Sequence, residues 1–242
     1  MKVLVVIPTY NEVQALEPIV SRVRTSVPDA DILVVDDDSP DGTGDLADRI
    51  AEDDGTVHVL HRAGKEGLGK AYLAAFDWAM GRDYTHVVQM DADGSHRPEE
   101  LPLLLERAGM SDYPDLIIGS RYVRGGEMVG WPKSREILSR AGNFYIKAWL
   151  GIPASDVTAG YRVYRTGFLR RIDFTSVESS GYFFQTDMTD KLNDEQKKAI
   201  SDQIPLAKLG RVEDIADAVV YLARAEYITG ETLNINGGMY ML

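Results

Sequence analysis

The sequence predicts an open, twisted, mostly parallel α/β sheet with helices packed on its faces. Two observations carry that expectation. Five short runs, VLVVI (3–7), ILVVD (32–36), VHVL (57–60), HVVQM (86–90) and LII (116–118), are rich in β-branched residues and mostly apolar. Such continuous runs suit strands buried on both faces of a parallel sheet. Between them lie helix-length segments, and strand–helix alternation at this spacing implies right-handed crossovers.

The helices follow in order. Val13 to Thr25 forms the first, and Gly44 to Glu52 the second, with Asp41 and Thr43 placed to cap it. Gly69 to Met80 is the third. Pro98 to Ala108 is the fourth, opening on a proline that loses no helical hydrogen bond there, followed by Glu99 and Glu100. No internal repeat, low-complexity segment or linker divides this part of the chain.

The bulk numbers exclude several classes. A length of 242 residues suits one large domain or two small ones, with 44% hydrophobic and 26% charged residues. There is no cysteine, so disulfides and thiolate metal sites are excluded and nothing points to an oxidising compartment. The opening MKVLVVIPTYNE has a five-residue apolar run, too short for a signal peptide or a membrane span, and a cytoplasmic location is expected. A net charge of −12 argues against nucleic acid and against anionic membranes held by bulk electrostatics.

Open α/β sheets bind ligands beyond the carboxyl ends of their strands. There the sequence places PTYNE (8–12), DDDSPDGT (36–43), DADG (91–94) and GSRYV (119–123). Three of these four carry carboxylates to one edge, and like charges at close range raise each other's pKa unless a cation intervenes. A divalent ion bridging to a diphosphate would neutralise them, since Mg2+ uses one or two carboxylates plus substrate phosphates. The alternative is that the acids cap helices and solvate loops, which is as good a reading for Asp41 and a poorer one for Asp91 and Asp93. Residues 121–147 set six cations against Glu127 and Glu136. They form either a local anion site or a solvated face.

PTYNE, DDDSPDGT, HRAGKEGLGKAY (61–72), DADGSHRPEE, GSRYVRGG and DVTAGYRVYR occur in one order. Together they resemble the family 2 glycosyltransferases and, within them, the polyprenyl-phosphate (dolichol-phosphate) mannosyltransferases, over residues 1 to about 185. The resemblance implies a GT-A-type, Rossmann-like fold that transfers mannose from GDP-mannose to a polyprenyl phosphate at the cytoplasmic membrane face. It implies that Pro8, Tyr10, Asn11, Glu12 and Asp37 hold the nucleotide, and that Asp91 and Asp93 hold Mg2+ or Mn2+ on the diphosphate. A third ligand found in some relatives is replaced here by Ser95, a poorer one. Arg121, Arg135 and Ser139 fall on positions that bind the lipid phosphate, with Asp93 and Arg121 closest to the chemistry; arginine's planar fork suits phosphate oxygens.

No Ser–His–Asp or Cys–His nucleophile system is evident, and His58, His61, His86 and His96 form no cluster in sequence. A phosphate monoester needs little activation, because its second pKa near 6 leaves it largely dianionic. Positioning and electrostatics would carry the reaction, and direct displacement would invert the anomeric carbon. His96 is expected to support its loop rather than act as a base.

Beyond Gln185 the resemblance changes. TDMT (186–189), LGRVEDIADAVVYLA (209–223) and YITGETLNINGGMYM (227–241) resemble the C-terminal segment of 3-oxoacyl-[acyl-carrier-protein] reductases, of the short-chain dehydrogenase/reductases. The arginine-bearing acceptor loop of the mannosyltransferases is missing there, although Asp187 fits their acidic position. The reductase's TGxxxGIG and Tyr-x-x-x-Lys are also missing, so reductase activity is not expected. The expectation is a fusion, with residues 1–185 as glycosyltransferase core and 186–242 as a helix–strand segment packed on or beside it. Ile215, Val219 and Leu222 would form a buried stripe, in cis or in a homodimer. Transfer would be impaired by the lost loop. The alternatives are a nucleotide-sugar-binding chimera without turnover and an α/β fusion built to test fold compatibility.

Overall fold

The computed structural model describes residues 1–111, 114–120, 156, 158–174, 184–185, 188, 217 and 221. In chain order the elements are β1 (Val3–Thr9), α1 (Val13–Ser26), β2 (Asp31–Asp36), α2 (Thr43–Asp53), β3 (Val57–His61), α3 (Leu68–Met80) and β4 (His86–Gln89). A 3-10 turn (Pro98–Glu100) then runs into α4 (Leu101–Ala108), followed by β5 (Leu116–Ile118), β6 (Arg162–Arg165) and the short α5 (Thr166–Leu169).

The strands form one sheet in the order β3-β2-β1-β4-β6-β5. β1 pairs in parallel with both β2 and β4, and β2 in parallel with β3, while β6 runs antiparallel to β4 and β5. The expected parallel sheet is therefore present, with one reversed strand. RVYR, with two arginines in four residues, lacks the apolar continuity of a central strand. It nevertheless lies between two neighbours, with Arg162 completely buried.

Continuous apolar runs arise because both faces are covered. Val5 and Ile7 pack with Leu16, Ile19 and Val23 of α1 and Leu101 of α4. Leu4 and Val6 point the other way, into Tyr72 and Phe76 of α3 and Phe168 of α5. Leu16, Ile19, Val20 and Val23 follow the helical i, i+3, i+4, i+7 spacing, so α1 presents one apolar stripe. Phe184 and Met188 belong to the second core cluster, which ties the chain around Gln185 to the sheet.

The caps at the second helix serve two helices. Asp41 Oδ1 accepts the N–H of Thr43, the first residue of α2, at 3.0 Å. Its Oδ2 accepts the N–H of Val13, the first residue of α1, at 3.2 Å. The Ile215–Val219–Leu222 stripe lies outside the described residues. Asp217 and Tyr221, described within that segment, are helical and exposed. Among the described residues no helix is long and apolar enough to cross a membrane.

Candidate functional site

The strand order reverses at β1, whose neighbours β2 and β4 lead to opposite sides of the sheet, and ligand crevices of α/β sheets open at such points. The loops after β1 and β2 are laced together. Asp36 is buried; its Oδ1 accepts the hydroxyls of Thr9 at 3.0 Å and Ser39 at 2.6 Å, and its Oδ2 accepts the Ser39 N–H at 3.0 Å. Ser39 Oγ accepts the N–H of Asn11 at 3.0 Å. Asn11 stands at φ 61°, a left-handed conformation that asparagine tolerates better than most side chains. Asp36 thus shapes the crevice and is occupied in doing so.

Asp37 is also buried, and its carboxylate meets the Arg62 guanidinium at 2.5 Å. Arg62 reaches on to Glu66 at 2.6 Å. Pro8 lies in β1 opposite Val35, and the Tyr10 ring carries the Lys65 ammonium 4.0 Å from its centroid.

The DADG loop follows β4. Asp93 is exposed and accepts the Ser95 N–H at 2.9 Å across a turn that Gly94 makes at φ 77°. Asp91 is half-buried. Its Oδ1 accepts the Tyr72 hydroxyl at 2.9 Å, and its N–H donates to His96 Nδ1 at 2.9 Å. That bond leaves the neutral imidazole's proton on Nε2, which lies 3.8 Å from Asp91 Oδ2. The His96 ring stacks on Tyr161, centroids 5.0 Å apart and 12° from parallel. A Cβ on Gly160 would lie 3.1 Å from the same ring, so only glycine lets the 158–161 segment approach this closely without displacing it.

Charge accumulates at this edge. Partial burial, then Asp93, then Asp41 push the Glu12 carboxyl above its ordinary value. Among the described residues no three His, Asp or Glu side chains gather as a self-sufficient metal cage. Asp91 and Asp93, two residues apart on this loop, fit an ion that draws its remaining ligands from phosphate and water, as Mg2+ does.

The structure therefore brings Pro8, Tyr10, Asn11, Glu12, Asp37, Asp91 and Asp93 to one edge of the sheet. Arg121, Arg135 and Ser139 lie outside the described residues. Sequence reasoning gave no role to Arg62 or Tyr72. Both stand in the HRAGKEGLGKAY run, and their carboxylate partners Asp37 and Asp91 lie in the loops that follow β2 and β4.

Comparisons with known proteins match two stretches of the chain to different families. Residues 4–173 match the family model described as Glycosyl transferase family 2, and residues 179–240 match one described as Enoyl-(Acyl carrier protein) reductase. The undecaprenyl-phosphate mannosyltransferase of Micrococcus luteus is 56% identical over 189 residues, covering 78% of this chain and 76% of that protein. The polyprenol monophosphomannose synthase of Mycolicibacterium smegmatis is 53% identical over 189 residues, covering 78% and 71%.

Two solved structures share the fold. A mannosyltransferase from Pyrobaculum calidifontis in complex with GDP-Man and Mn2+ superposes with a TM-score of 0.53 at 20% identity, over 77% of this chain. The present chain spans only 51% of that protein's length. Glucosyl-3-phosphoglycerate synthase from Mycobacterium tuberculosis, with Mn2+ and uridine-diphosphate bound, gives 0.56 at 20% identity over 77% of this chain and 63% of that one. The architecture is GT-A-like. By the match over 4–173 and by relatives more than half identical, the chain belongs to glycosyl transferase family 2, and it carries a reductase-type segment at its C-terminal end.

Proposed function

We propose that the chain transfers mannose from GDP-mannose to a polyprenyl phosphate, with inversion, using Mg2+ or Mn2+ held by Asp91 and Asp93. The observation that carries this reading is the acidic edge formed by Glu12, Asp91 and Asp93 at the strand-order reversal, in a chain whose relatives are named for polyprenyl mannosylation.

Pro8, Tyr10, Asn11 and Asp37 hold the base and ribose, with Arg62 neutralising Asp37 so that a buried carboxylate is tolerable there. The ion, when bound, neutralises charge on the departing diphosphate. Arg121, Arg135 and Ser139 bind the acceptor phosphate. Its dianionic oxygen forms a bond to the anomeric carbon as the bond from that carbon to the diphosphate breaks, and GDP leaves. No base is required, which suits a His96 whose Nδ1 is engaged with the backbone of Asp91. The acceptor's chemistry points to work at the cytoplasmic membrane face.

A second reading, nucleotide-sugar binding with little turnover, is favoured by one observation: the reductase-type match occupies 179–240, the stretch in which the resemblance to the mannosyltransferases would place their acceptor loop. On either reading residues 1–185 form the core and 186–242 the added segment, which docks in cis or pairs two copies. Transfer of labelled mannose from GDP-mannose to a short polyprenyl phosphate tests the proposal. Product dependent on added Mg2+ or Mn2+ supports it, and GDP binding without product leaves the second reading.

A further inference from the structure

Tyr72 has no place in the reaction just described, yet it is bonded to the reaction's metal site. It lies on α3, fully buried, with its hydroxyl on Asp91 Oδ1 at 2.9 Å. A buried tyrosine hydroxyl needs an acceptor in any fold. Here the acceptor is one of the two acids assigned to the ion rather than a backbone carbonyl.

The hydroxyl is held firmly in turn. The Tyr72 ring stacks on Phe184, centroids 6.2 Å apart and 8° from parallel, and on Phe76 at 6.3 Å. Phe184 sits against the helix backbone at Gly69, where an added Cβ would lie 3.1 Å from its ring. The Phe184 aromatic face, Tyr72 and Asp91 form one line of contacts from the chain near Gln185 to the DADG loop. With Oδ1 occupied by Tyr72, Oδ2 is the oxygen that remains, on the side of His96 Nε2.

We propose that Tyr72 is a positioning residue for the divalent ion: it fixes the Asp91 carboxylate so that Oδ2 is presented for coordination, and Phe184 keeps Tyr72 in register. This rests on the metal reading above. Hydrogen-bond partners of metal-ligating carboxylates typically change metal affinity by about 10–100-fold when removed.

The test is a Mn2+ titration of the full chain with GDP present, followed by the electron paramagnetic resonance of free Mn2+. Tyr72→Phe keeps the ring and its stacking and removes only the hydroxyl. It is expected to weaken Mn2+ by about tenfold or more, while GDP affinity in EDTA and the melting temperature stay near wild type. A merely structural hydroxyl would move the melting temperature and not the Mn2+ affinity. Phe184→Leu, which keeps the hydroxyl and loosens its seat, is expected to shift affinity in the same direction by less. Mn2+ affinity within about twofold of wild type in Tyr72→Phe overturns the inference; if that variant does not fold, an unchanged affinity in Phe184→Leu overturns it. A wild-type chain that binds no Mn2+ with GDP overturns the metal reading, and this inference falls with it.

Discussion

Asp91 and Asp93 stand two residues apart and are held in opposite ways. Asp91 is braced by Tyr72 and His96, whereas Asp93 is exposed and bonded within its own turn. Asp93→Ala should therefore abolish the metal-dependent part of GDP binding, a loss larger than the ~10–100-fold of an outer partner, while Lys2→Ala, at the opposite end of the sheet, leaves it intact. Calorimetric titration of GDP with and without EDTA reads this directly, and equal metal-dependent affinity in Asp93→Ala would remove the diphosphate–metal assignment. Gly160→Ala places a methyl 3.1 Å from the His96 ring, which is wedged between Tyr161 and the Asp91 backbone. The ring has to shift, and we expect weaker Mn2+ binding without loss of metal-free GDP affinity. The two aspartates could be found from sequence because acids directly after a buried strand are costly and conspicuous. Tyr72 could not, because its hydroxyl partner lies 19 positions away, on another element.

At the scale of elements, each strand and helix expected between residues 3 and 118 formed within a few residues of its predicted bounds, and β6 alone among the described strands was unforeseen. Its signal was concealed by Arg162. That side chain is buried with its guanidinium donating to Ala159 O at 2.7 Å and Gln185 O at 2.8 Å, partners supplied by tertiary structure. Tyr164 beside it donates to Gln89 Oε1 of β4 at 2.9 Å, so the reversed strand carries polar side chains into the interior and bonds them there. The turn after the DADG loop is anchored differently, by a two-pronged bridge from Arg22 of α1 to Glu99. Hydrogen bonding to Arg22 lowers the Glu99 carboxyl to about 2. A depressed carboxylate contributes stability above its unfolded pKa, and that contribution fades as pH falls from about 4.5 toward 2. Both side chains are half exposed, so Glu99→Gln should cost only about 0.2–1 kcal/mol at pH 7. Denaturant titrations of the two proteins should converge as the pH approaches 2; a gap that persists unchanged there would remove Arg22 as its cause.

For the whole molecule, two family matches meet shortly before Gln185, one over residues 4–173 and one over 179–240. The two resemblances were legible because each part of the sequence carries its own ordered set of motifs, whereas cooperation between the parts is written in no single residue. The segment around the join is integrated: Phe184 and Met188 are core, and Arg162 binds the Gln185 carbonyl. We therefore expect normal GDP binding with mannose transfer far slower than in a complete relative, because nothing in 186–242 supplies the arginine-bearing loop. Turnover within about tenfold of an intact relative would show that loop to be dispensable. Arg135→Ala should weaken a soluble polyprenyl-phosphate analogue by about 1.5–3 kcal/mol, the scale of a hydrogen bond to a charged group, and leave GDP binding unchanged. An equal loss for both ligands would count against separate donor and acceptor sites. The place of β6 between β4 and β5 has a further consequence, in time rather than space. During synthesis β4 gains its partner on that side only when Arg162–Arg165 emerges, and at ~5–20 residues per second its edge waits roughly 4–15 s. An unpaired apolar edge is a template for association with another nascent chain. The strand that leads into the two aspartates is thus open to misassembly on the ribosome, and a translational pause before residue 165 would prolong its vulnerability.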